Sequence, residues 1–326
     1  MMNVAVVGCG LVGHKRARAL QNHRLVAVAD VQVERARQLA DQYPGCTAYQ
    51  DWQEVVCRAD VDLVIVATTH DALVPVSLGA VRCGKHVLVE KPAARHPREL
   101  AELASAIQTG DVLVKVGFNH RFHPAFVKAR ALFDSGAIGE LMYIRGRYGH
   151  GGRLGYEKEW RANPRISGGG ELLDQGVHLI DLARWFAGDF TEVSGYCHTY
   201  FWDMPVEDNA FALLKTPKGQ VAWLHASWTE WKNLFCFEIF GGDGKLQIDG
   251  LGGSYGPERL TFYRMLPAMG PPETTICEYP GEDTSWRDEF EHFVRCIEQG
   301  GTLWGNLQDA RAALEIVFKL YGGIDR

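Results

Sequence analysis

Val4-Ala5-Val6-Val7-Gly8-Cys9-Gly10-Leu11-Val12-Gly13 opens the chain with a β-branched run that stops at a glycine. The run reads as a buried strand, and Gly8 to Gly13 fit Gly-x-Gly-x-x-Gly just ahead of a helical stretch at residues 12–21. A second strand at 25–29 ends in Asp30. Each part of this sequence has a physical task. Gly8 permits a tight turn, Gly10 lets a backbone approach a pyrophosphate, and Gly13 lets helix and strand pack closely. Leu11 and Val12 start the helix, whose unsatisfied N–H groups face the phosphates. Asp30 would accept hydrogen bonds from an adenosine ribose and repel a 2′-phosphate, which favours NAD, with NADP possible through Arg35 or Arg37.

From this anchor the pattern extends to about residue 117. Strand candidates at 4–7, 25–29, 63–67, 86–89 and 112–116 alternate with helical stretches at 12–21, 32–42, 72–82 and 97–108. Such alternation implies an α/β Rossmann domain, a doubly wound parallel sheet with helices on both faces. Beyond residue 120 the pattern changes to helices near 124–134 and 171–186, a glycine-rich basic stretch at 145–170, and strands in series at 192–200, 209–216, 220–229, 234–240 and 245–249. Turn signals such as Pro217-Lys218-Gly219 join these strands, and helices at 286–298 and 307–320 close the chain. Consecutive strands with tight turns imply an α+β domain with a large, mainly antiparallel open sheet. The expected division is 1–120 for nucleotide binding and 121–326 for substrate binding and oligomerisation.

Composition narrows the partners. With 34 Lys+Arg against 40 Asp+Glu, the net charge of -6 offers no global basic field for nucleic acid or an anionic membrane, so a small-molecule partner is expected. The N-terminus lacks a basic region before its short apolar run, and the most apolar run, 61–69, contains Asp62. A cytoplasmic protein without signal peptide or membrane span is therefore expected. The eight cysteines lack any Cys-x-x-Cys pair and read as reduced, mostly buried thiols, and no Cys/His cluster suggests a metal.

Two segments carry candidate chemistry. Glu90-Lys91-Pro92 follows the strand at 86–89, at the carboxyl end of the sheet where doubly wound folds collect ligands. Lys91 there is either a solvated loop charge or a donor to a substrate oxygen. In Gly168-Gly169-Gly170-Glu171-Leu172-Leu173-Asp174-Gln175-Gly176-Val177-His178-Leu179-Ile180-Asp181, a helix starting near Gly170 would place Asp174, His178 and Asp181 on one face. Such a pair is either a surface contact or a general base oriented by a carboxylate. Residues 145–165 hold Arg145, Arg147, Arg153, Lys158, Arg161 and Arg165 against Glu157 and Glu159, which suggests an anionic substrate or a solvated face. Trp223, His225, Ser227, Thr229 and Trp231 alternate onto one strand face, for sheet packing, a subunit interface or sugar stacking.

Taken together, the glycine motif, Gly84-Lys85-His86-Val87-Leu88-Val89-Glu90-Lys91-Pro92, Trp160-Arg161 and Gly168 through Asp181 resemble the glucose-fructose oxidoreductase/inositol dehydrogenase/MocA (Gfo/Idh/MocA) family across essentially the whole chain. The resemblance implies hydride transfer between a nicotinamide and a carbon bearing a sugar or polyol hydroxyl. It also implies a homodimer or homotetramer formed through the C-terminal sheet. Lys91 would contact cofactor ribose and substrate, and Asp174 and His178 would form the proton-transfer pair. Glu90, Thr68, Thr69, His70 and Asn119 would lie by the cofactor, and Arg121, Trp160 and Arg161 by the substrate. One departure stands at Thr68-Thr69-His70-Asp71-Ala72-Leu73, where relatives often read Thr-Pro-Asn followed three residues on by His. The leading expectation is an NAD-dependent oxidoreductase acting on a nucleotide-linked sugar or sugar acid. The rivals are a free-polyol or inositol dehydrogenase and a non-catalytic nicotinamide-binding sensor or assembly protein.

Overall fold

A computed structural model describes residues 1–108 and 111–322. Its contacts form two units. The first comprises Met1–Phe118, Arg165–Gly168 and Trp286–Arg311; the second comprises Asn119–Pro164, Gly169–Ser285 and the residues from Ala312 onward.

The first unit begins with β1 (Asn3–Val7), α1 (Leu11–Arg18), β2 (Arg24–Ala29), α2 (Val33–Ala40), β3 (Thr47–Tyr49) and α3 (Gln53–Val56). It continues through β4 (Leu63–Val66), α4 (His70–Arg82), β5 (His86–Glu90), α5 (Leu100–Gln108) and β6 (Val114–Gly117). The six strands are parallel in the order β3-β2-β1-β4-β5-β6. The order reverses between β1 and β4, so the carboxyl ends of these strands, at Gly8 and Thr68, flank the switch point where such sheets bind ligands. The central strands are buried on both faces, which explains their continuous Val, Ile and Leu runs. β3 escapes sequence reading because Thr-Ala-Tyr is too short to show a period.

The later elements are α6 (Pro124–Asp134), β7 (Leu141–Gly149), α7 (Pro164–Ser167), α8 (Val177–Ala187) and β8 (Glu192–His198). They continue with β9 (Asn209–Lys215), β10 (Val221–Ser227), β11 (Leu234–Gly241), β12 (Gly244–Asp249), β13 (Glu258–Arg264) and β14 (Glu273–Tyr279), then α9 (Ser285–Gln299) and α10 (Leu307–Leu320). The second unit's eight strands run β14-β13-β12-β11-β7-β10-β9-β8, antiparallel throughout except for the parallel pair β7 and β10. One face is buried under α8, where Leu179 lies at 3.2 Å and Leu224 and Phe237 at 3.1 Å from the position a Cβ on Gly146 would take. Burying such a side chain contributes roughly 1.5–3 kcal/mol.

Several expectations are corrected here. Residues 141–149 form the strand β7, whose alternation of buried Ile144, Gly146 and Tyr148 with exposed Arg145 and Arg147 was hidden by its basic charge. The helix expected from 171 begins as a π-helical turn, Leu172–Gly176, and becomes α-helical only at Val177. The one-face series from Trp223 ends with β10 at Ser227, since Trp231 adopts a left-handed φ of 55°. Cys57 and Cys83 are joined as a disulfide rather than standing as thiols, with Cα atoms 5.2 Å apart. They directly follow α3 and α4, whose C-terminal ends pack together, a proximity that sequence spacing does not reveal. Each unit is assembled from separated stretches of chain, the first taking in Trp286–Arg311. The amphipathic α9 buries Phe290, Phe293 and Val294 in the first unit's core with Val4, Val6 and Leu39. No helix among the described residues is long and apolar enough to cross a membrane.

Candidate active site

In the first unit the three glycines of the turn face different constraints. Gly8 has φ +95°, and a Cβ there would lie 2.4 Å from the Ala67 carbonyl oxygen; a Cβ on Gly13 would lie 2.0 Å from the Gly8 carbonyl oxygen. These two are required by the protein's own packing. Gly10, the residue preceding α1, has an ordinary φ of -79° and no protein atom within 4 Å of its would-be Cβ. Its smallness therefore serves an approach from outside, as a pyrophosphate on the helix N-terminus requires. Leu11 is 76% exposed beside it. Asp30 Oδ2 accepts from the Cys9 N–H at 2.8 Å and Oδ1 from the Gln32 N–H at 2.8 Å. The carboxylate is thus fixed against the glycine turn with lone pairs left for ribose hydroxyls. Arg37 pairs with Glu34 at 3.7 Å. This arrangement fits an adenine dinucleotide with free ribose hydroxyls.

Thr68 and Thr69 follow β4. Thr68 Oγ1 donates to the Thr69 carbonyl at 3.0 Å, Thr69 Oγ1 donates to Asp71 at 2.6 Å, and His70 Nδ1 lies 2.7 Å from the Ser167 carbonyl oxygen. The departing Leu73 is fully buried, so that position serves the core.

Lys91 leaves the end of β5 through a cis bond to Pro92. Its neighbour Glu90 points into a buried ionic cluster that sequence reading missed. Arg16 Nε donates to Glu90 Oε1 at 2.5 Å and Arg16 Nη1 to Glu289 Oε2 at 2.6 Å, while Lys115 Nζ stands 3.7 Å from Glu289. The Arg16 guanidinium is 4.4 Å from the centre of the Trp286 ring. Burial pushes the Glu90 carboxyl above its usual range, and the Arg16 charge opposes that shift. α1, β5, β6 and α9 are thereby tied together beneath Lys91. Nothing local in sequence marks pairs separated by 74 and 273 residues.

In the second unit, the charges expected on one face of the helix take separate partners. Asp174 Oδ2 accepts from Arg161 Nε at 2.9 Å, and Asp181 accepts from Arg121 Nε at 2.8 Å and Nη2 at 2.5 Å. Burial, which would lower the Arg161 pKa, is outweighed by Asp174 and the value is raised. Arg121, expected beside substrate, is a buried member of a bidentate pair within the fold. His178 is buried, with the His120 ring stacked on it at 3.8 Å and Tyr148 edge-on at 6.4 Å. The ring-rich run His120-Arg121-Phe122-His123 is the only local signal for His120, and nothing local in the sequence marks Tyr148. Asn119 Nδ2 donates to Ser285 Oγ at 2.9 Å. Trp160 lies under the Arg161 guanidinium, 4.6 Å from ring centre to carbon.

The basic stretch is not one loop. Arg145 pairs with Glu238 from the exposed side of β7, Arg153 pairs with Glu159 at 2.6 Å, and Arg161 pairs with Asp174; Arg165 belongs to the first unit. Three of its six cations, Arg145, Arg153 and Arg161, thus meet carboxylates of the protein itself. Among the described residues, no three or more His, Cys, Asp or Glu are grouped so as to hold a metal ion.

A glycine turn with an open middle glycine and an acidic residue directly after β2 define a dinucleotide-binding class of Rossmann unit, here in one chain with an eight-stranded α+β unit. Residues 2–118 match the model described as an oxidoreductase family with an NAD-binding Rossmann fold, and residues 126–247 match the GFO/IDH/MocA C-terminal domain. The chain belongs to the Gfo/Idh/MocA oxidoreductase family. It is 27% identical over 233 residues to levoglucosan dehydrogenase of Pseudarthrobacter phenanthrenivorans, covering 67% of this chain and 59% of that protein. To inositol 2-dehydrogenase 2 of Saccharopolyspora erythraea it is 31% identical over 227 residues, covering 67% and 64%. Both matches therefore span less than two thirds of the relative's length. The match to scyllo-inositol 2-dehydrogenase (NAD(+)) of Bacillus subtilis is 27% over 330 residues and covers 96% and 91%. Among solved structures, levoglucosan dehydrogenase in complex with NADH and levoglucosan superposes with a TM-score of 0.88 at 22% identity, covering 99% of this chain and 97% of that one.

Proposed function

We propose that the protein is an NAD-dependent dehydrogenase that oxidises a secondary hydroxyl of a free, uncharged cyclic sugar or polyol. The observation that carries this reading is that one chain keeps the dinucleotide cradle with Asp30, Lys91 beyond β5, and His178 one helical turn from Asp174. When bound, the nicotinamide supplies a hydride acceptor. Gly8, Gly10 and Gly13 with the α1 N-terminus hold the pyrophosphate, Asp30 holds the adenosine ribose, and Thr68, Thr69, His70 and Asn119 belong to the cofactor's surroundings. A ring nitrogen of His178 takes the hydroxyl proton, Asp174 supplies negative charge that favours the imidazolium, and Lys91 Nζ stabilises the developing oxyanion. Arg161 acts on Asp174 and Trp160 rather than as a free cation, which leaves the nucleotide-linked or acidic sugar substrate without support from the paired arginines. The names of the relatives, which cover levoglucosan and inositols, point the same way.

The test is NADH formation across levoglucosan, myo-inositol, scyllo-inositol, methyl D-glucoside, UDP-glucose and glucuronate at low and moderate salt. Turnover of neutral polyols with a salt-insensitive KM is expected. Turnover confined to UDP-glucose or glucuronate, with a KM that rises with salt, would overturn it.

A further inference from the structure

Next to His178 lies a polar pair that none of the roles above uses. Tyr148 is buried and sits 6.4 Å from the His178 ring, and its own ring stands 5.3 Å from Tyr255. Tyr255 is carried on the short helical turn Gly253–Tyr255. Gln175 follows Asp174 in the π-helical turn, and its Nε2 donates to Tyr255 Oη at 2.9 Å. Burial first, then Tyr255, Glu171 and Asp174, hold the Tyr148 hydroxyl far above the ordinary phenol range, so it keeps its proton beside Tyr255. Tyr255 Oη thus accepts from Gln175, and among the described residues its own proton is given to no acceptor. Gln175 Oε1 is a buried acceptor without a hydrogen-bond partner among the described residues. Leaving such an acceptor unmet is costly, and a buried amide is normally satisfied by protein, water or ligand.

One donor that no residue uses, beside one unmet acceptor, matches a group that both accepts and donates. A hydroxyl does both, a carboxylate or phosphate only accepts, and an ammonium only donates. We propose that Tyr255 and Gln175 together bind a substrate hydroxyl other than the one that reacts, Tyr255 Oη donating to its oxygen and Gln175 Oε1 accepting its proton. The inference rests on the polyol dehydrogenase reading and deepens it, because it makes Tyr255 and Gln175 specificity-determining residues for an uncharged neighbouring hydroxyl.

The experiment takes whichever of myo-inositol or levoglucosan the wild type turns over better, together with its set of monodeoxy analogues. For wild type, Tyr255→Phe and Gln175→Met it measures kcat/KM and the dissociation constant in the presence of NADH. Each variant should lose about tenfold in both quantities on the parent polyol. On one particular monodeoxy analogue, wild type and Tyr255→Phe should agree within about twofold, because the hydroxyl they compete for is gone. A Tyr255→Phe loss of the same size on the parent and every analogue would show a structural role only and overturn the proposal, as would no loss at all. A wild type that neither binds nor oxidises either polyol would instead remove the parent reading, and the inference with it. Unchanged NADH affinity and thermal unfolding in Tyr255→Phe confirm that the variant is folded.

Discussion

Replacing Arg16 by Met tests whether the buried cluster beneath Lys91 is held together as described. Arg16 is 1% exposed and bonded at 2.5 and 2.6 Å to carboxylates that are themselves buried. Removing Arg16 leaves Glu90 and Glu289 without the guanidinium that joins them, although Lys115 stays near Glu289 and Lys91 near Glu90, and breaking a buried pair costs about 3–5 kcal/mol. For a domain of this size that corresponds to a fall in Tm on the order of 10 °C. The sign with pH follows from the carboxylates. Glu90 already titrates above its usual value because of burial, and losing Arg16 raises it further. A carboxyl whose folded-state pKa exceeds its unfolded value binds more protons when folded, so it loses stability as pH rises through that range. The deficit of Arg16→Met against wild type should therefore be larger near pH 8 than near about pH 5.5. Thermal unfolding followed by tryptophan fluorescence at both pH values measures it; Trp286 beside Arg16 is a built-in reporter. A change under about 0.5 kcal/mol, or a deficit that grows on acidification, would refute the reasoning.

Gly10→Ala should leave thermal stability unchanged and weaken NADH binding, whereas Gly13→Ala should lower stability, because only the second Cβ strikes the fold; unfolding scans and NADH titration separate the two. Asp30→Ser should reduce NAD affinity about tenfold and narrow the preference over NADP, read from the ratio of kcat/KM for the two cofactors. His178→Asn should lower kcat by about 10²–10⁴ while NADH affinity stays within about threefold. Equal losses in both would move His178 out of proton transfer and into structure.

The first unit was largely legible because its elements are local. The run from Val4 to Gly13 and the position of Asp30 carry their own geometry, and Glu90-Lys91-Pro92 marks a strand end. The second unit hid more. In β7 the exposed Arg145 and Arg147 made a strand resemble a basic loop, although Ile144 and Tyr148 between them are buried. The π-helical turn changed which neighbours Asp174 and Asp181 face, and their arginine partners lie 13 and 60 residues away. Tyr255 joins Gln175 across 80 residues, and Cys57 joins Cys83 through two helix ends. Pairings of this kind are set by packing, and periodicity does not report them.

Hydride transfer itself is tested most directly by incubating the protein with NAD+ and ring-deuterated myo-inositol or levoglucosan and analysing the nicotinamide by mass spectrometry. Deuterium in the NADH formed, with turnover slowed relative to unlabelled polyol and lowered by about 10²–10⁴ in His178→Asn, is the expected result. Tight NADH binding with no label transferred from either polyol would contradict it and favour a nicotinamide-binding protein without turnover.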